Sequence, residues 1–275
     1  MTTTVVVVGD IHANSTVAVC PPTFNLDDGG TYRASKAQRW IWRQWLALWG
    51  EAAAARERAG GPLALIFNGE LADDNYHPTT QLITRNPADM LKLSAAVLAP
   101  ALELLREGDS VFVLRGTEEH SGPSAHLDET IAHDIGATPA DEEANVFSHW
   151  RLKVNLDGVL FNVAHHPAGG GGRVPWTRGN FANQLAARTA FECVMSGEKP
   201  PHLLVRGHVH RPADSYDAYP VRALVLPSWQ LTTSYGHRIG GDPLPVGGAI
   251  MTCDRGRVEV TKHYSDWPIE GYIRV

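Results

Sequence analysis

The sequence predicts an α/β fold built on a largely parallel β-sheet, and three observations carry that prediction. Short β-branched or apolar runs recur at Thr4 to Val8, Leu63 to Phe67 and Val111 to Leu114. Each has the length of a buried strand and stops at or just before a glycine. Segments with helical spacing lie between them. A strand–helix–strand–helix–strand order in one chain sets successive strands parallel, joined by right-handed crossovers. With 275 residues, 43% hydrophobic and 20% charged, the chain has ample material for a core.

In chain order, the first helix is expected from about Ser35 to Arg58. Ser35 with Gln38 three residues on forms a capping box. Ile41, Trp45, Leu48, Trp49 and Ala52 fall on one face, and Gly60-Gly61-Pro62 stops the helix. The spacing of Trp40, Trp42, Trp45 and Trp49 assigns them to packing rather than to base stacking. In the next crossover Asn86 caps a helix with Pro87 at its first position, and Pro100 should kink or divide it. The second half is richer in strands. Arg151 to Leu156 and Val159 to Ala164 flank Asp157-Gly158, a two-residue hairpin signal. A helix from about Asn180 to Ser196 follows, with Gly197 closing it. His202 to Arg206, Val221 to Leu226, Ala249 to Cys253 and Val258 to His263 complete the strand set. No repeat and no compositional linker interrupts residues 1–275, so one domain holding two packed sheets is the simplest organisation.

The net charge of -6 excludes a general duplex binder, which would carry a basic face. Cys20, Cys193 and Cys253 form no CxxC pair and read as buried free thiols in a reducing compartment. Met1 to Val8 lacks a basic n-region, and no run approaches the length of a membrane span. A cytoplasmic location without membrane contact is the expectation.

Chemistry is expected at the carboxyl ends of the strands, where open α/β sheets place their sites. Those ends carry Gly9-Asp10-Ile11-His12, Gly69-Glu70, Gly116 through His120, His165-His166 and Gly207-His208-Val209-His210. Asp, Glu and His are ligands for hard and borderline divalent metals. A spacing of two in Asp10-x-His12 and His208-x-His210 suits a turn leaving a strand, where two side chains can converge on one ion. Asp73, three residues after Glu70, either orients a ligand or is a solvated loop carboxylate beside Asp74.

In this order the motifs resemble those of the calcineurin-like metallophosphoesterases over residues 9 to 210. Gly9-Asp10-Ile11-His12 and Gly207-His208-Val209-His210 match that pattern in full. Gly116-Thr117-Glu118-Glu119-His120 and Trp176-Thr177-Arg178-Gly179-Asn180 are similar to its phage and prophage branch. The resemblance implies a four-layer αββα sandwich of two mixed β-sheets flanked by helices. It also implies a dinuclear site that hydrolyses a phosphomonoester or phosphodiester with a hydroxide generated on the metals. By position, Asp10, His12 and His210 hold one ion, His165 (rather than His166) and His208 the other, and Glu70 bridges them where the family has Asp. The cofactors implied are two divalent ions, Mn²⁺ first, with Fe, Zn²⁺ or Ni²⁺ as alternatives.

The family pattern also has an Asn ligand directly after the glycine and then a His. Here Thr117 and Glu118 stand in those places, and His120 comes two residues late. His120 is the expected catalytic proton donor; His120, Thr117 or Glu118 could alternatively fill the missing ligand place. Arg178 is the expected substrate clamp, because a guanidinium grips phosphate bidentately, with Arg173 and Arg115 behind it. Trp176 and Trp229 lie in loops and could stack on a base, with packing the commoner outcome. The run Gly169 to Gly172 reads as a surface loop. The expected partner is a phosphoester, small or nucleotide-like. A nuclease of the same fold and a metal-binding scaffold without turnover are the competing functions.

Overall fold

The structure, a computed structural model, describes residues 2–74, 79–167, 177, 179–238 and 243–268. Strand β1 (Thr3–Val8) is the wholly buried centre of a six-stranded sheet. It pairs in parallel with β4 (Leu63–Asn68), then β5 (Ser110–Leu114), then the short edge strand β6 (Ser148–His149). On its other side the long hairpin of β12 (Val246–Asp254) and β13 (Arg257–Ser265) completes the sheet antiparallel. The parallel centre is the one that the crossover pattern predicts. The antiparallel flank comes from the end of the chain, which makes the sheet mixed.

The second sheet has five strands in the order β10 (Ala213–Asp214), β11 (Arg222–Val225), β9 (Leu203–Arg206), β8 (Val159–Val163) and β7 (Leu152–Leu156). Its β7–β8 hairpin turns at Asp157 (φ 50°) and Gly158 (φ 84°), two left-handed residues in succession. That geometry matches the twist of the strands it joins. A separate ribbon pairs β2 (Thr23–Asn25) with β3 (Thr31–Arg33).

Side-chain alternation sorts the strands' residues into three packed layers. Val6, Val8, Leu65 and Phe67 face helices α1 (Lys36–Ala59), α2 (Pro87–Leu102) and α4 (His126–Asp134). Val5, Val7, Ala64 and Ile66 face the other way and meet Phe161, Val163, Leu203 and Val205 of the second sheet. The outer face of that sheet, through Leu204, Ala223 and Val225, packs under α5 (Asn180–Ser196) by Phe181, Ala182 and Leu185. Helices therefore flank two stacked mixed sheets, the order of layers in an αββα sandwich.

The capping box at Ser35 and Gln38 forms as expected, and Gly60 closes α1 with φ 65°. Trp45 and Trp49 are buried, Trp40 and Trp42 pack against the same core, and Trp229 is fully buried edge-on to Trp45 at 4.7 Å. Packing is thus the fate of every described tryptophan the sequence offered for stacking. Pro100 does not divide α2: it lies in the last turn, where the helix ends two residues later. Cys20, Cys193 and Cys253 are buried free thiols. No helix among the described residues is long and apolar enough to cross a membrane.

At the open edge between the sheets, Asp214 of β10 receives Arg222 at 2.7 Å and Lys262 of β13 at 2.7 Å. Burial pushes its carboxyl up, but the hydrogen bonds from Arg222 and Lys262 hold it below the ordinary aspartate value. A depressed folded-state pKa adds stability above the unfolded pKa, and that stability is lost as pH falls through the folded value. Asp214→Asn should therefore cost about 2 kcal/mol at neutral pH. Its deficit against wild type should shrink between about pH 5 and about pH 3. Urea midpoints at the two pH values check this; a deficit that does not change with pH would refute it.

Candidate metal centre

Every chemistry-bearing loop leaves the carboxyl end of a buried strand. The chain after β1 and the chain after β4 run on side by side beyond the strands. Asp10 N donates to Gly69 O at 3.0 Å, His12 N to Glu70 O at 2.9 Å and Ala13 N to Leu71 O at 3.0 Å. From the second sheet, Gly207 N donates to His165 O at 3.0 Å. Gly207 has to be glycine, because a Cβ there would lie 2.4 Å from Asp10 Oδ2. Backbone pairing therefore fixes the spacing of the loops before any side chain acts.

Within these loops Asp10, His12, Glu70, His208 and His210 all adopt left-handed backbone, with φ of 51°, 50°, 53°, 70° and 54°. Non-glycine residues seldom occupy that region, and holding one there costs on the order of 1 kcal/mol or more. It is this reversal of direction that lets residues two apart aim at a common point.

Three donor groups result among the described residues: two share Glu70, and a third, His12, Asp73 and His120, lies beside them. In the first, the ligand atoms of Asp10, His12, Glu70 and His210 all lie within 4.8 Å of one another. His12 Nε2 is 3.3 Å from Glu70 Oε2 and 3.1 Å from His210 Nε2, which is 3.2 Å from Asp10 Oδ1. In the second set, Glu70 Oε1 faces His165 Nε2 at 3.2 Å and His208 Nδ1 at 3.8 Å. Glu70 thus presents one oxygen to each set.

Supporting contacts fix the rings. His12 Nδ1 donates to Asp73 Oδ1 at 2.7 Å, and His165 Nδ1 to Asn68 O at 2.7 Å. Each leaves its Nε2 lone pair facing the cluster. Asp73 Oδ1 also takes His120 Nδ1 at 2.8 Å, while its Oδ2 accepts from Gln230 Nε2 at 3.3 Å. Asp73 is buried, so orienting two histidines is its role and solvation is not. Asp128 of α4 is fully buried behind the site. It accepts from Leu71 N at 3.0 Å, Gly116 N at 2.7 Å and Ser121 Oγ at 2.8 Å, tying the β4 and β5 loops together.

Charge is concentrated here. Burial alone would raise the Asp10, Glu70 and Asp73 carboxyls. The histidines beside them win: His165 and His210 lower Asp10, His165, His208 and His12 lower Glu70, and His12 and His120 lower Asp73. Reciprocally, burial would lower His165, but Glu70 and Asp10 push it up to about 10. The Asp73 hydrogen bond and the Glu70 charge likewise outweigh burial at His120 and raise it to about 9. At Asp128 burial wins and raises the carboxyl, outweighing its hydrogen bonds from Leu71 N, Gly116 N and Ser121 Oγ and the charge of His165.

The residues fit divalent ions. His165 Nε2 is buried without a hydrogen-bond partner, and the carboxylates of Asp10 and Glu70 converge there with the imidazoles of His12, His165, His208 and His210. Buried polar atoms left in that state are expensive unless a cation completes them.

All six residues read from the sequence as candidate ligands are brought together. His165 rather than His166 enters the cluster; His166 is exposed and stacks on His208 at 4.6 Å. His120 reaches the site edge-on to His12 at 4.6 Å and remains 40% exposed. Arg115 does not face the ligands: it pairs with Glu129 at 3.3 Å and lies under Trp150, as surface arginines usually do. Arg178, Arg173, Trp176 and the run Gly169 to Gly172 lie outside the described residues. Sequence reading misses Asp128 and Gln230. The available signal for Asp128 is a charge three and four residues before Ile131 and Ala132, on the apolar stripe of α4.

No family model matches the sequence, and no curated protein matches it. Solved structures with a similar course of the chain include Vps29 from Chaetomium thermophilum, at 10% identity and TM-score 0.40, over 97% of this chain and 98% of that one. A dimetal phosphatase from Danio rerio aligns at 10% identity and TM-score 0.45, over 96% and 97%. A hypothetical protein from Pyrococcus horikoshii aligns at 11% identity and TM-score 0.42, over 94% and 87%. Likeness at this level carries no chemistry, which rests on the side chains above.

Proposed function

We propose that the protein is a metal-dependent phosphoesterase. The observation that carries this reading is the pair of donor sets sharing one carboxylate, Glu70, with a protonatable histidine beside them. Asp10, His12, Glu70 and His210 would hold one divalent ion, and Glu70, His165 and His208 a second, with Mn²⁺ suited to this mixed oxygen and nitrogen set. Bound ions supply Lewis acidity toward the phosphoryl oxygens and acidify a water to serve as nucleophile. The chain supplies the rest. Burial of the ligand carboxylates keeps the field strong. Asp73 fixes Nδ1 of His120, so the outward Nε2 carries the proton that leaves with the departing oxygen. Arg178 is retained as the proposed clamp on the substrate's phosphate.

The test is hydrolysis of bis-p-nitrophenyl phosphate and p-nitrophenyl phosphate by metal-stripped protein refilled with Mn²⁺. Turnover should require metal and be lost in His208→Ala. His120→Ala should retain its metal while losing about 10²–10⁴-fold in kcat. The better ester separates diesterase from monoesterase. An Mn²⁺-loaded wild type that cleaves neither ester would overturn the proposal.

A further inference from the structure

The two donor sets that share Glu70 are unequal: three other side chains, Asp10, His12 and His210, join it in one, and two, His165 and His208, in the other. Thr117 stands beside the poorer set, where the sequence offered it as a ligand to complete that set. Its contacts say otherwise. Thr117 Oγ1 donates to Glu70 Oε1 at 2.5 Å, and Thr117 N lies 3.4 Å from the same oxygen. The threonine is buried, as is Glu70. Thr117 also occupies the residue before α3 (Glu118–Ser121), where a threonine hydroxyl ordinarily bonds the backbone of its own helix. Here it makes no such bond. The hydroxyl is directed to the carboxylate instead.

Glu70 needs that restraint. A glutamate has one more rotatable bond than an aspartate. Its Cγ lies only 2.5 Å from where a Cβ on residue 116 would be, so the longer side chain fits because that residue is glycine. Free rotation of the terminal carboxylate would scramble which oxygen meets His12 and which meets His165 and His208. One fixed donor on Oε1 settles it.

We infer that Thr117 is a positioning residue for the bridging carboxylate and not a metal ligand, leaving one four-donor tight site and one three-donor weak site. The inference rests on the metal-binding part of the proposed function. The weak site would be held by fewer protein side chains, Glu70, His165 and His208.

Binding of Mn²⁺ to the full chain tests this without turnover, by calorimetry and by the spin-coupled electron resonance signal of paired Mn²⁺. Wild type should show two sites differing by about tenfold or more. Because Glu70 serves both ions, Thr117→Val should weaken both by about 10–100-fold. Thr117→Ser, which keeps the hydroxyl, should stay within about threefold of wild type. In a Glu70→Asp background the carboxylate is too short to reach residue 117, so adding Thr117→Val should change affinity by less than about threefold. Loss of the weaker ion alone in Thr117→Val would make the hydroxyl a ligand and overturn the inference. Unchanged affinities, or a full loss on top of Glu70→Asp, would overturn it too. Two bound ions without ester cleavage would sink the proposed function and leave the Thr117 assignment standing. Cleavage with Thr117→Val affinities at the wild-type level would do the reverse.

Discussion

At limiting Mn²⁺, Asp73→Ala is expected to lower turnover more than loss of any other residue outside the six proposed ligands. One carboxylate oxygen holds two rings, His12 at 2.7 Å and His120 at 2.8 Å. Removing it frees His12 to rotate, which should weaken metal binding by about 10–100-fold. It also unseats His120 and removes the charge that keeps it protonated, for about 10²–10⁴-fold in kcat. The two losses separate by titration. Excess Mn²⁺ should restore the part due to His12 and leave turnover at the level of His120→Ala. An Asp73→Ala protein that reaches wild-type kcat at saturating Mn²⁺ would show that the Asp73–His120 contact is incidental.

Asp128→Ala should destabilise the fold itself, by on the order of 3 kcal/mol. Its carboxylate accepts from the backbone amides of Glu70, Leu71 and Gly116 and from the Ser121 hydroxyl, all buried. An unsatisfied buried donor costs about 1–3 kcal/mol, and such costs within one network do not simply add. Because Leu71 N and Gly116 N sit on different loops, the variant should also lose metal affinity through displacement of Glu70. Asp128→Asn keeps one acceptor and should fall between Ala and wild type. Urea unfolding of the three metal-free proteins checks the order; a deficit below about 1 kcal/mol for Asp128→Ala would mean the loops hold together without it.

Much of this architecture is legible in the residues because local signals agree with the global arrangement. Ser35 with Gln38 starts α1, Asp157-Gly158 turns β7 into β8, and the β-branched runs mark the central strands. The ligand set is legible because residues of one chemical type recur at strand ends that the topology must bring together. What escapes is set by tertiary context. Asp128 on α4 carries no metal-binding motif, and only the packing of that helix on two loops reveals it. The late arrival of His120 is resolved by α3. Three helical residues advance about 4.5 Å, against about 10 Å for extended chain, so the extra residues are absorbed in one turn. Asp10 and His12 are of types that tolerate left-handed backbone, but nothing in the run marks them as adopting it.

That last feature has an evolutionary consequence. At five positions the side chain demanded by the chemistry is a poor choice for the backbone, which glycine or asparagine would relax. Selection for folding alone would pull Asp10, His12, Glu70, His208 and His210 toward such residues, and each replacement would gain stability while erasing a ligand. A descendant that kept the fold as an inert scaffold should lose these five first. Their joint presence in this chain is what the proposed metal chemistry would require, held at a cost in backbone strain.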